Sequence, residues 1–348
     1  MELPALPAFA PTPPPPRPSR AVDLALSLAA IAWFLAAREL SARSASGIAQ
    51  RLDLLAVGLL LRPLFHIFLL LVGLSLLETM ARRRSSTRDL LGLPRRSTAG
   101  QEAASGAALG WAAALAAVLP LAVAGSMHIQ LWTEPRAFAY ALLSLLGAAL
   151  TALSLEIVFR GYAYRRMIDA MGTTGATLCL SLIYGLLFAF SPGSTDLGVL
   201  ALVLLALLLS LGWLRTHALW LSWGLNFAFT ASLGLLFGLP TAGSTDLATI
   251  FQTSTHGRHL LTGGEFGPVA APFTALVLLL AIPVLYRVTR DYAWIYTHAP
   301  IVAAGYPMDV PPPAAHTAMS SAVPPPPPPL VQILPTTPGQ RSVSDPPV

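Results

Sequence analysis

The feature that most constrains this chain is a series of long apolar segments separated by short polar ones. Hydrophobic residues make up 55% of the sequence and charged residues only 11%, whereas charged residues are about 25% of an ordinary soluble domain. A helix of about 20 apolar residues crosses the roughly 30 Å hydrocarbon core of a bilayer. The chain is therefore predicted to be a polytopic membrane protein in contact with the lipid bilayer.

Eight segments are long and apolar enough, or nearly so, to be predicted as spans. They cover residues 22–37, 54–77, 104–124, 137–160, 174–190, 197–214, 218–239 and 268–286. The first is short, and the second contains Arg62 and Pro63, which predict a kink or tilt there. The expected fold class is all-α, a membrane helix bundle with about eight transmembrane helices.

Proline-rich segments flank the predicted bundle. Residues 1–20 include Pro13 to Pro16 and follow no secretory n-region, which favours a disordered arm over a cleaved signal peptide. Residues 291–348 contain six consecutive prolines, Pro324 to Pro329, which favour a stiff, solvated tail. We therefore expect an arm at 1–20, a bundle at 21–290 and a tail at 291–348.

The distribution of arginine predicts the topology, since the sequence contains no lysine. Five arginines fall on one predicted face, namely Arg38, Arg43, Arg51, Arg136 and Arg258, and fourteen on the other, with Arg62 and Arg160 inside spans. Positive charge concentrates in cytoplasmic loops. We expect both termini in the cytoplasm, the chain in the inner membrane of a bacterium, and no nucleic-acid partner.

The sequence offers no metal or cofactor motif. A single cysteine, Cys179, excludes an internal disulfide and a cysteine-based zinc site. His66 and His217 each lack a ligand partner three or four residues further on, and no serine-hydrolase elbow or Walker motif is present. His256 and His259 lie in a polar segment at 241–267, which is predicted to be a long solvated loop.

A carboxylate and a guanidinium stand inside the apolar stretch at 150–167. A charge at the centre of a membrane helix costs at least about 2.5 to 3.5 kcal/mol, so one that is kept is usually paired or functional. Glu156 and Arg160 are four residues apart, with the acid first, which places them on one helix face in the better orientation for an ion pair. Both a structural pair and a functional pair remain open.

The residues around this pair resemble the first motif of the CPBP family, intramembrane proteases that include the CAAX prenyl endopeptidases. The family motif is Glu-Glu-x-x-x-Arg, followed by Gly-Tyr/Phe and a basic pair, and the matching residues are Glu156, Arg160, Gly161, Tyr162, Arg165 and Arg166. The second motif, Phe-x-x-x-His, falls on Tyr184 and Phe188, and the third, His-x-x-x-Asn/Asp, on Asn226 and Thr230. The similarity in spacing and span order covers about 75–237.

Five positions depart from the family pattern, namely Leu155, Tyr184, Phe188, Asn226 and Thr230, and three of them replace groups that would handle protons. The resemblance implies that the first glutamate of the pair activates the attacking water with help from histidines on neighbouring helices, and here those positions hold Leu155, Phe188 and Asn226. Leucine and phenylalanine cannot transfer a proton, and asparagine does not titrate near neutral pH. Losing one general base costs a factor of about 100 to 10,000, so peptidase activity is expected to be impaired.

Two functions remain open at this point. One is a binder or regulator of a membrane protein or lipid, in which the family fold places all the motif positions around a partly polar, aromatic cavity. The other is an active intramembrane endopeptidase in which Glu156 activates water. Tyr184 and Phe188 could also simply fill the space of the former active site. A transporter is disfavoured because no Gly/Pro-broken half-helices are evident at the midplane.

Overall fold

The computed structural model describes residues 19–52, 55–81, 91–94, 96–247 and 250–292. Nearly all of the predicted proline-rich arm and tail, and the arginine-rich segment 82–90, lie outside the described residues. The helices are α1 Arg20–Arg51, α2 Leu55–Met80, α3 Ala99–Val123, α4 Pro135–Glu156, α5 Ala163–Leu186, α6 Asp196–Thr216, α7 Trp220–Ala231, α8 His259–Thr262 and α9 Pro272–Val288. The strands are β1 Met127–Leu131 and β2 Phe251–Thr255.

The described residues form a helical, multi-pass membrane protein that contacts lipid. Five helical stretches in this part of the chain are long and apolar enough to cross a bilayer, and α9 is a shorter apolar helix. One of the five, Pro135–Leu186, is 52 residues long and combines two of the predicted spans. The count of eight spans therefore stays a prediction.

Two backbone irregularities divide that 52-residue stretch. Ile157–Tyr162 forms a π-helical turn directly after α4, closed by the bond from the Ala163 amide to the Val158 carbonyl. Further on, Gly172 has φ 82° and ψ 168° and interrupts α5, a conformation that glycine adopts without a Cβ penalty. The break lies between the spans predicted at 137–160 and 174–190.

The first two helices differ from the predicted spans in length and geometry. Ser19 caps α1, which continues fourteen residues past the predicted end at 37 and ends at Arg51, because its polar second half contains no proline. α2 passes through Pro63 without a break in its assignment. Proline cannot donate to the Leu59 carbonyl, and Gly147 of α4 packs against that oxygen, where a Cβ would come within 2.7 Å.

The prediction of a long solvated loop at 241–267 needs correction. The described residues of this segment include β2 and α8, and part of the segment is buried. β2 pairs antiparallel with β1, with Met127 opposite Thr255 and Leu131 opposite Phe251. Phe266 is fully buried. Two strands of five residues, more than a hundred positions apart, leave no periodic signal strong enough to reveal the pairing in the sequence. We call the end of the bundle with this two-stranded β1–β2 sheet the ribbon end.

Glycines bring α3 and α7 into close contact. A Cβ at Gly106 would lie 2.1 Å from the Leu221 carbonyl oxygen, and one at Gly224 would lie 2.2 Å from that of Ala103. Small residues of this kind let membrane helices approach closely, where packing rather than water exclusion drives association. This contact fixes α7 beside α3 and so positions the side chains that α7 presents to the opposite side.

At the opposite end from the ribbon, three helices are joined by buried charges. Arg166 of α5 contacts Glu78 of α2 and, at 3.7 Å, Asp23 of α1. The Arg166 guanidinium also lies 5.3 Å from the Tyr162 ring centroid. We call Asp23, Glu78 and Arg166 the end cluster, and its position marks one end of α1, α2 and α5.

Candidate functional site

The predicted ion pair at the end of α4 is confirmed. The Arg160 guanidinium donates to Glu156 Oε1 at 3.4 Å. Asn226 Nδ2 of α7 donates to the same oxygen at 2.8 Å. Both charged side chains are buried, with 0% and 1% exposure for Glu156 and Arg160. The site is thus formed by the π-helical turn after α4 together with the middle of α7.

Arg160 connects this carboxylate to two further helices. Its second terminal nitrogen donates to the Ala206 carbonyl of α6 at 3.0 Å. Its guanidinium carbon lies 4.8 Å from the ring centroid of Tyr184 on α5, in the range of a cation–π contact. We call Glu156, Arg160, Tyr184 and Asn226 the inner cluster.

The inner cluster is not completely satisfied. Glu156 Oε2 and Arg160 Nε are buried and have no hydrogen-bond partner among the described residues. The same is true of Ser181 Oγ on α5, one turn before Tyr184. Native proteins keep few such atoms, because each costs about 1 to 3 kcal/mol or more. The inner cluster therefore retains one free carboxylate oxygen, which lies inside protein.

A cavity of about 810 Å³ lies next to the inner cluster. Side chains from α1, α2, α4, α5, α6 and α7 and from the segment at 241–247 line it. The lining includes five of the positions predicted from the sequence, namely Leu155, Tyr184, Phe188, Asn226 and Thr230. Glu156 and Arg160 are not among the lining residues, so the two retained charges stand behind the wall and the substituted positions face the cavity.

The aromatic residues of the second motif occupy one side of this cavity without filling it. The Tyr184 and Phe188 ring centroids are 5.7 Å apart, and Phe159 packs edge-on against Tyr184 at 5.4 Å. Phe188 places an aromatic ring where the resemblance implies a histidine, and an open space remains beside the two rings.

The polar lining of the cavity is basic rather than acidic. Asp246 is the one carboxylate among the described lining residues, which also include Arg38, Arg43, Arg62 and His66. No group of three histidine, cysteine, aspartate or glutamate side chains comes together within the described residues. The lining presents no cluster of the kind that holds a catalytic zinc.

Sequence reasoning missed the contribution of α1 and α2 to this cavity. His66 is 5% exposed, its Nδ1 lies 3.4 Å from Ser154 Oγ, and its Nε2 has no partner in the described structure. Arg38, predicted to lie in a loop, belongs to α1. Residues on separate helices carry no shared spacing, so nothing in the sequence indicates that they meet.

The segment that contains the inner cluster is similar to a known protein family. Residues 137–232 match the model of the family described as type II CAAX prenyl endopeptidase Rce1-like. The matched segment runs from the start of α4 to the first residue after α7 and contains the whole inner cluster, and it confirms the resemblance stated from the motifs. No curated protein and no solved structure matches the chain.

Proposed function

Because the chain is a multi-pass membrane protein of the CAAX-protease family, we propose that it binds an apolar segment, either a transmembrane helix or a lipid chain, in the cavity beside its motif without cleaving it. On the arginine distribution, we place it in the inner membrane of a bacterium with both termini in the cytoplasm.

The position of the retained carboxylate is the observation that carries this proposal. A general base must come within hydrogen-bond reach of the water that it activates, directly or through one other water. Leu155 faces the cavity at the position of the family's first glutamate, whereas Glu156 is fully buried with Oε1 bound by Asn226. Among the described residues, no glutamate therefore borders the space where a bound peptide would lie.

The size and chemistry of the cavity support binding. Its volume of about 810 Å³ lies within the roughly 300 to 1,000 Å³ of known ligand sites. Phe188, Phe229 and Leu233 supply apolar lining, and Thr230 and Asn226 supply a few polar groups. Such a surface suits an apolar ligand that must be oriented by a small number of hydrogen bonds.

A second candidate function, an active endopeptidase with Glu156 as the base, is favoured by one observation. Glu156 Oε2 is buried without a hydrogen-bond partner in the described structure, so this oxygen can accept a proton from a water that reaches it. In that case a rearrangement of Leu155 or Asn226 would have to connect the carboxylate to the cavity.

Cleavage of a membrane-peptide library by the purified protein in lipid separates the two functions. We expect no cleavage by the natural protein, and cleavage by the variant Leu155→Glu/Phe188→His/Asn226→His, which returns the family's proton-transferring groups to the cavity wall. Cleavage by the natural protein that disappears in Glu156→Gln would overturn the non-hydrolytic proposal.

Binding itself is tested by site-specific photocrosslinking in the same membranes. A photoreactive residue placed at Thr230, which lines the cavity, is expected to crosslink to a labelled apolar peptide or lipid. An excess of the same unlabelled molecule is expected to prevent this crosslink. The matched control position is Leu280 on α9, which is exposed at 57% and lies outside the cavity lining. Equal capture at both positions would indicate contact with bulk lipid and would contradict binding in the cavity.

A further inference from the structure

Two arginines and a histidine from α1 and α2 meet at the ribbon-end side of the cavity, where the motif residues play no part. Building on the binding function proposed above, we propose that Arg38, Arg62 and His66 bind the phosphate of an anionic lipid whose acyl chain occupies the apolar part of the cavity. The family motifs do not include these three residues, and they lie outside the matched segment 137–232.

The depth of the two arginines fits a lipid headgroup. Arg38 lies fifteen residues beyond Asp23 along α1, and Arg62 lies sixteen residues before Glu78 along α2. At 1.5 Å per residue, both stand about 23 to 24 Å from the end cluster. They therefore share one level of the bundle. Their separation from the end cluster is comparable with the roughly 30 Å thickness of a hydrocarbon core, and the long arginine side chains can extend from this level toward lipid headgroups.

The protein compensates the charges of these arginines only weakly, since Glu39, which acts favourably on the Arg38 charge, is itself bound to Arg43. Neither Arg38 nor Arg62 forms an ion pair within 4 Å in the described part of the chain, and their charges act unfavourably on each other. Arg43, the third arginine of the lining, is bound to Glu39 at 2.7 Å. An anion placed between Arg38 and Arg62 removes their mutual repulsion, and the planar guanidinium is suited to bidentate contact with phosphate.

His66 supplies a buried imidazole to the same cavity wall. Its side chain lines the cavity, is about nineteen-twentieths buried, and leaves Nε2 without a partner among the described residues. The ring is held in place by Phe34, with centroids 4.9 Å apart, and by Ser154 at 3.4 Å. A buried polar atom without a partner usually indicates a missing water, ion or ligand, and an oxygen of a phosphate ester fits beside the two arginines.

The remainder of the cavity argues for a lipid over a free anion. Beyond the arginines the lining is formed by apolar side chains of α6 and α7, including Leu202, Leu205, Phe229 and Leu233. Inorganic phosphate would leave this apolar space empty, whereas an acyl chain gains binding free energy with each CH₂ group that it buries there. The headgroup supplies specificity, and the chain supplies most of the affinity.

Native mass spectrometry of the full chain released from detergent micelles tests this proposal. The probes are phosphatidylglycerol, phosphatidylcholine with the same acyl chains, and inorganic phosphate. We expect phosphatidylglycerol to bind at least about fivefold more tightly than phosphatidylcholine, since each basic residue near an anionic headgroup contributes about 1 kcal/mol, and we expect phosphate alone not to bind. The variant Arg38→Gln/Arg62→Gln is expected to lose that preference, because its affinity for phosphatidylglycerol falls more than its affinity for phosphatidylcholine, whose choline cation already offsets the phosphate charge.

Two matched variants make the outcomes distinguishable. Arg136→Gln/Arg258→Gln also removes two positive charges at the ribbon end, but from residues outside the cavity lining. If this variant lost the preference for phosphatidylglycerol as completely as the cavity variant, the preference would come from general surface attraction and the proposal would be overturned. Thr230→Trp narrows the cavity and is expected to weaken both lipids. All proteins are first compared by size-exclusion elution and thermal unfolding.

Other results separate this proposal from the binding function on which it rests. If the natural protein binds both lipids equally and Thr230→Trp weakens both, the anion site is overturned and the proposed binding function stands. Capture of an apolar peptide at Thr230 without any effect of Thr230→Trp on lipid overturns the lipid site alone. Tight binding of inorganic phosphate that the cavity arginines control overturns the requirement for a lipid chain.

Discussion

The inner cluster and the end cluster are both buried arginine–carboxylate groups, yet they are built differently. In the inner cluster Arg160 and Glu156 belong to one continuous helical stretch, 3.4 Å apart, and Asn226 shares the carboxylate. In the end cluster Arg166 joins carboxylates of two other helices. The first borders a cavity, whereas the second holds α1, α2 and α5 together. Buried charges of the same kind thus either join separate helices or stand behind a cavity wall, and the packing distinguishes the two.

The largest expected effect is the loss of the arginine in the end cluster. Arg166→Ala removes the cation between two carboxylates that are 3% and 5% exposed, and breaking a buried ion pair in this way costs about 3 to 5 kcal/mol. We expect that decrease in the free energy of unfolding, measured by circular dichroism in mixed micelles at increasing denaturing detergent. The cavity and its ligand should be unaffected in the fraction that folds.

A charge-free version of the same cluster provides the control. Asp23→Asn/Glu78→Gln/Arg166→Leu leaves no charge to bury, and replacing a buried ion group by neutral side chains is often close to neutral. We expect most of the lost stability to return. A triple variant as unstable as Arg166→Ala would mean that packing around Arg166, rather than its charge, stabilises this end of the bundle.

The sequence predicts the inner cluster better than the end cluster for a physical reason. Glu156 and Arg160 are close in the chain, so helix periodicity alone brings them together. Asp23, Glu78 and Arg166 are separated by up to 143 positions, and only the packing of three helices makes them neighbours. The helical, membrane-spanning character of the chain was predictable, because its apolar runs are bounded by polar residues, whereas the count of eight spans stays a prediction.

The cavity, like the end cluster, is only partly predictable from the sequence. Tyr184, Phe188, Asn226 and Thr230 were predicted to converge because their spacing resembles family motifs, and the structure brings them to one cavity wall. Their roles stay proposals. The π-helical turn at Ile157–Tyr162 and the arrival of Arg38, Arg62 and His66 were not predictable, because they depend on backbone geometry and on helices outside the motifs.

A smaller effect is expected within the inner cluster. Asn226→Leu removes the amide that donates to Glu156 Oε1 at 2.8 Å, and a hydrogen bond to a charged group contributes about 1.5 to 3 kcal/mol. We expect the stability in mixed micelles to fall by that amount, less than in Arg166→Ala because Arg160 remains in contact with the carboxylate. This comparison measures how much of the inner cluster is structural.

Thr230→Val is the matched control, since Thr230 lies one turn further along α7 and lines the same cavity. It should change stability by less than about 0.5 kcal/mol. If Asn226→Leu were equally mild, the contact with Glu156 would contribute little to folding, and the burial of Asn226 would need an explanation in ligand binding.

The smallest effect is expected at an exposed ion pair in the second half of α1. Arg43 Nε lies 2.7 Å from Glu39 Oε1, closer than Arg160 lies to Glu156, but the two side chains are 78% and 63% exposed. Exposed pairs contribute about 0.2 to 1 kcal/mol, and helix pairs at this spacing about 0.3 to 0.5. Arg43→Gln should therefore shift the unfolding curve by no more than about 0.5 kcal/mol. A loss comparable to that of Arg166→Ala would show that this end of α1 is buried in the membrane or against a partner, and the ranking of the charged groups by burial would then have to be revised.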